Sequence, residues 1–126
     1  MNSMTNPTYP ALLVHEDRSI SSLPDSETWS GDPDFWYWCD PLDYLVDNNG
    51  VRFEQIAIRA ANGHPKQPPT WQRNRQLSLD EMKQLCREAF EAEPGDAEFL
   101  KAPIENFLGD DAPALIVESL AKIFKP

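Results

Sequence analysis

The sequence is short of the features that mark familiar chemistries. In 126 residues it has two cysteines (Cys39, Cys86), two histidines (His15, His64) and five glycines. No Gly-rich phosphate loop, His-Glu-x-x-His or Cys-x-x-Cys is present, and the four potential zinc ligands do not fall in local pairs, so no metal or cofactor is expected. Two cysteines in a chain able to bury a core point to reduced thiols rather than a disulfide framework, which favours a cytoplasmic protein. Residues Met1–Tyr9 lack the basic and apolar regions of a secretory signal, and no apolar run approaches the roughly 20 residues of a membrane span. Asp40 beside Cys39 is expected to raise the thiol pKa, and the Asp40/Asp43 carboxylates have no accompanying base. An enzyme is therefore not expected; a small hydrolase built on Cys39 or the Asp pair is the form one would take.

Positive charge is scarce as well. The net charge is −10, unevenly spread. Residues 1–54 hold ten acids and two bases (−8), residues 55–79 four bases and no acid (+4), and residues 80–126 eleven acids and five bases (−6). Such a chain repels nucleic-acid phosphates and steers basic partners toward itself. Direct nucleic-acid binding is not expected.

What is present is concentrated. From Ser19 to Val51 there is no Lys or Arg, but there are seven acids (Asp25, Glu27, Asp32, Asp34, Asp40, Asp43, Asp47) and three of the four tryptophans (Trp29, Trp36, Trp38), with Phe35, Tyr37 and Tyr44. Phe35–Cys39 is short and aromatic, and its composition predicts a strand with Trp36 and Trp38 on one face. Those aromatics either fill a core or anchor a binding face.

The patterning predicts one α+β domain over residues 1–126, with the first eight residues lacking fixed structure. A small antiparallel sheet of hairpins is expected from strands near 9–15, 19–23, 35–39, 43–47, 51–59 and 97–101. A short helical turn capped by Asp25 or Ser26 carries Trp29 between them. Asp47-Asn48-Asn49-Gly50 between two alternating runs reads as a tight turn supplying positive backbone angles, and it fails the calcium-loop ligand pattern. Residues 60–76 read as a long basic loop whose Trp71, Arg73 and Arg75 form a secondary candidate surface able to lie against the acidic stretch. Ser78-Leu79-Asp80-Glu81 is a capping box opening a helix over 79–92. Pro103–Leu108 predicts a short helix, and Asp111 would cap an added C-terminal helix over 112–124 within residues 110–126.

Pro10-Ala11-Leu12-Leu13-Val14, Asp43-Tyr44-Leu45-Val46-Asp47-Asn48-Asn49-Gly50, Ser78-Leu79-Asp80-Glu81 and Ala102-Pro103-Ile104-Glu105-Asn106-Phe107 together resemble a small uncharacterised proteobacterial domain family of unknown function, over about residues 9–109. The resemblance implies an α+β fold and no chemistry.

The functional expectation rests on the acidic, aromatic stretch. It is a non-enzymatic protein that neutralises a basic protein partner by direct contact, in its most concrete form a bacterial toxin immunity protein. Asp32, Asp34, Trp36, Trp38, Asp40 and Asp43 are the candidate contact residues. A nucleic-acid mimic of the phage-inhibitor type and a homodimer subunit whose aromatic surface is its own interface are the alternatives.

Overall fold

Strand β1 (Ala11–Val14) is apolar at every position because it lies inside a sheet covered on both faces. The computed structural model describes residues 6–92 and 101–124. β1 pairs on one side with β2 (Ile20–Leu23) and on the other with β3 (Tyr44–Val46), followed by β4 (Val51–Ile56) and β5 (Thr70–Gln76). The five antiparallel strands lie in the order β2-β1-β3-β4-β5. With the helices described below, this is the expected α+β fold.

Period-two alternation divides the side chains between two cores. Leu12, Val14, Ile20 and Val46 face α3 (Leu79–Ala92), α4 (Lys101–Glu105) and α5 (Ala112–Ile123), meeting Met82, Cys86, Phe90, Ile116 and Leu120. Ala11, Leu13, Leu23, Leu45 and Phe53 face the opposite way, onto Trp29 and Cys39. The segment between β2 and β3 covers that second face through two short helices, α1 (Ser26–Gly31) and α2 (Pro33–Trp36). The part of the acidic, aromatic stretch between β2 and β3 is thus one layer of a three-layer structure.

The capping box forms as read: Ser78 N–H donates to Glu81 (2.9 Å) and Glu81 N–H to Ser78 Oγ (3.1 Å). Bonding from Arg75, then from Ser78, holds the Glu81 carboxyl down at about 2. The β3–β4 turn is built differently from expectation, since Gly50 (φ 78°) takes the positive angle and Asn49 does not. Asp47 replaces the second positive angle by accepting from the N–H groups of Asn49 and Val51 (both 2.9 Å). Its other oxygen accepts from the N–H and hydroxyl of Thr8 (both 3.1 Å), so Thr8, expected to be unstructured, is held.

Four more expectations need correction. Residues 35–39 are not a strand: Asp32 accepts from Asp34 N–H (3.0 Å) and Pro33 fills the first helical position, so an N-cap and its proline override aromatic strand propensity. The basic loop assigned to 60–76 is cut short at its far end, because residues 70–76 form β5, while at its near end it starts sooner, since β4 ends at Ile56 rather than near 59. Its polar, alternately basic sequence suits an edge strand wetted on both sides, which hydropathy cannot reveal. Most of the strand assigned to 97–101 lies outside the described residues, and Lys101 begins α4. Asp111 occupies the N-cap of α5 without a side-chain cap; Pro113 in the first turn needs no acceptor. At the far edge of the sheet, the end of α5 covers β2 through Ser22 N–H to Phe124 O (3.0 Å).

Candidate functional site

The covering layer is fixed by its caps and by one tryptophan. Asp25 caps α1 by accepting from Thr28 N–H (2.7 Å) and its hydroxyl (2.8 Å). The helix then turns Trp29 into the sheet, where its indole N–H donates to Pro69 O (2.9 Å) and its ring meets Trp71 (5.1 Å between centroids). α2 follows at once and places Phe35 and Trp36 half-buried against the Leu13–Leu45–Phe53 cluster. The chain leaves the helix at Tyr37 and throws Trp38 outward, 66% exposed. Trp36 and Trp38 therefore do not share a face. Trp36 Nε1 is buried without an acceptor among the described residues.

A cavity of about 510 Å³ opens where the layer meets the sheet. The buried Leu13 and Cys39 form its floor with Phe35, while the exposed Asp32, Asp34 and Trp38 stand at its rim; no Lys or Arg lines it among the described residues. Three of the six expected contact residues thus converge. Asp40 is exposed outside this lining, and Trp36 is mostly core. Asp43, expected at the contact surface, is 2% exposed and cannot be a contact residue. Its carboxylate is committed inside, accepting from Glu16 N–H (3.1 Å), Asp40 N–H (3.1 Å) and the His15 ring (3.0 Å from Nδ1).

His15 and Ser21 complete that arrangement, and neither was singled out from the sequence as a site residue. The β1–β3 register pairs Val14 with Tyr44, so one residue further His15 stands opposite Asp43. The β1–β2 register pairs Leu13 with Ser21, which lies diagonally from His15 on the same face. The outcome is a row across three strands: Asp43 Oδ2 to His15 Nδ1 at 3.0 Å, and His15 Nε2 to Ser21 Oγ at 2.8 Å. The bond to Asp43 raises the His15 pKa above 6.5, opposed by the ring's partial burial. Ser21 and His15 both line the cavity. The predicted β1–β2 hairpin could have suggested the Ser21–His15 pair through its register; the carboxylate comes from a distant segment that no local pattern links to it.

The loop before β5 closes the other side. Arg59 donates to Cys39 O (3.1 Å), Gly63 O (2.8 Å) and Gln55 Oε1 (2.9 Å). His64 stacks on Tyr37 (4.3 Å, 14° between planes), meets Trp38 edge-on (5.1 Å) and bonds Tyr37 O through Nδ1 (3.0 Å). Of the secondary candidates, Trp71 lies against Trp29 in the acidic stretch, Arg73 is exposed, and Arg75 pairs with Glu81 in two bonds of 2.8 and 2.6 Å.

Comparison with protein-family models, curated proteins and solved structures finds no match to this chain. Among the described residues no helix is long and apolar enough to cross a membrane.

The surroundings of Cys39 disfavour its thiolate at neutral pH. Burial, then the Asp43 charge, push its thiol up to about 12; Asp43, rather than the adjacent Asp40, is the carboxylate responsible. At pH 8 roughly one molecule in 10⁴ would carry the thiolate. Native protein treated with iodoacetamide at pH 8 is expected to leave Cys39 unmodified, with full alkylation in denaturant, as read by peptide mass spectrometry. Rapid native labelling would show that the layer over Leu13 opens.

Proposed function

We propose that this chain is a binding protein that engages a basic protein partner through the Asp32–Asp34–Trp38 rim, as an immunity protein engages its toxin. The observation that carries the reading is Trp38: an indole 66% exposed, held edge-on by Tyr37 and His64, beside an apolar cavity with two carboxylates at its mouth. A rigid aromatic costs little conformational entropy to bury, and a cavity of this kind suits a Lys or Arg side chain, whose stem is apolar and whose head is cationic. The acidic surface adds attraction at long range, which raises the association rate and makes it depend on salt.

The reading implies that a basic, toxic protein encoded next to this chain loses its lethality when the two are co-expressed. Trp38→Ala is expected to weaken that complex by about 2 kcal/mol, roughly 30-fold in Kd, and to leave the melting temperature unchanged. Asp32→Asn with Asp34→Asn should slow association and flatten its salt dependence. A complex insensitive to both changes would remove this surface from the interface, and a neighbouring toxin left fully lethal would remove the immunity reading.

A homodimer is the second reading, favoured by the position of β5 at the edge of the sheet and by Ile56 and Ile58, both more than half exposed. Sedimentation would then give a dimer that Ile58→Glu dissociates.

A further inference from the structure

We propose that Ser21, His15 and Asp43 form a nucleophile–base–orienter relay that allows Ser21 to accept the acyl group of a small, uncharged carboxylic ester bound in the adjoining cavity. The proposal goes beyond the binding reading and does not depend on it.

Three observations support it. The spacings, 2.8 Å from Ser21 Oγ to His15 Nε2 and 3.0 Å from His15 Nδ1 to Asp43 Oδ2, are those at which a base can take a hydroxyl proton while a carboxylate fixes its tautomer. The relay is rigid, since each member comes from or adjoins a different one of three neighbouring strands, and two backbone N–H groups clamp the Asp43 carboxylate. It also opens on a usable space. The cavity that Ser21 and His15 line is floored by Leu13 and Phe35, which suit an apolar acyl chain, and Asp32 and Asp34 at its rim disfavour anionic substrates.

The step balances as an acyl transfer. Ser21 Oγ attacks the ester carbonyl carbon as His15 Nε2 takes the hydroxyl proton. The tetrahedral intermediate expels the alcohol, which receives that proton, leaving an ester on Ser21. Water then attacks this ester with His15 again as base, releasing the carboxylic acid and restoring the hydroxyl.

Turnover is expected to be slow. His15 N–H donates to Ser19 O (2.9 Å), so the next hydrogen-bonded pair of this antiparallel ladder is Leu13–Ser21, and the Ser21 amide is taken up by the sheet. It cannot also serve a developing oxyanion, and losing one such donor costs roughly 10²–10³ in rate. An activated ester or a phosphonate, whose leaving group needs less help, is the proper probe.

The test uses the full chain with a fluorophosphonate probe and with p-nitrophenyl butyrate. A single adduct on Ser21, located by peptide mass spectrometry, and ester hydrolysis abolished by Ser21→Ala are expected. His15→Asn should slow labelling at least roughly 100-fold. The labelling rate should rise with pH as one group above 6.5 loses its proton, which a merely structural histidine would not cause. Circular dichroism must show each variant folded; Asp43 is left unaltered here because its loss threatens the fold. No adduct on Ser21 in folded protein, or hydrolysis that survives Ser21→Ala, overturns the proposal. Ser21→Ala should leave any Trp38-dependent complex intact, so failure of one reading is distinguishable from failure of the other.

Discussion

Replacing Asp43 by alanine is expected to cost about 3–5 kcal/mol of folding stability, a large part of the roughly 5–15 kcal/mol available to a domain. The carboxylate is buried and receives three donors, from Glu16, Asp40 and His15. Alanine leaves two backbone N–H groups and an imidazole without acceptors where water has little access. Asp43→Asn keeps the volume and one acceptor, and should cost less, about 1–3 kcal/mol. The two variants also differ from wild type in their dependence on pH. Because the folded pKa of His15 is raised, mainly by the bond to Asp43, the pair stabilises the fold fully below about 6.5 and loses that contribution as pH rises through the higher folded value. Urea titrations at pH 6 and pH 9 should show the gap between wild type and Asp43→Asn narrowing at the higher pH. A cost below about 1 kcal/mol for the alanine variant would mean that the carboxylate is not the tie it is taken to be.

Trp29→Ala is the second large effect, at about 3–5 kcal/mol, or a fall in Tm of the order of 10–20 °C for a chain of this length. Trp29 is the point at which the covering layer meets both the sheet and the loop leading to β5. Its ring fills the Leu13–Leu45–Phe53 side, contacts Trp71, and its N–H holds Pro69 O. Trp29→Phe removes the hydrogen bond and part of the area, and about 1–2 kcal/mol is expected. Thermal melts separate the two. Since Trp38 hangs from the same layer, Trp29→Ala should also broaden the tryptophan emission and weaken any complex made through the rim. Trp38→Ala, by contrast, should leave the melt unchanged.

The rules that worked on the sequence were local. Ser78 and Glu81 form the capping box three residues apart, Asp25 caps the turn that carries Trp29, and the strands β3 and β4 lie on either side of Gly50. Where two local signals compete, composition is the weaker. Aromatic composition at Phe35–Cys39 suggested a strand, but Asp32 and Pro33 start a helix there. At Thr70–Gln76 the polar composition suggested a loop, yet backbone pairing to β4 makes a strand whatever the side chains are.

Charge, caps and turns are properties of neighbours along the chain, so the acidic, base-free, aromatic segment, the small α+β architecture and the hairpin about Gly50 are legible in the residues alone. Which acids face water depends instead on how distant segments pack. Asp32, Asp34 and Asp43 are alike in sequence, but sheet register buries Asp43 against His15 and leaves the other two at the mouth of a cavity with Trp38. The Ser21–His15–Asp43 row has the same origin: it depends on the pairing of three strands, and His15 and Asp43, 28 residues apart in the chain, leave no local trace of their contact.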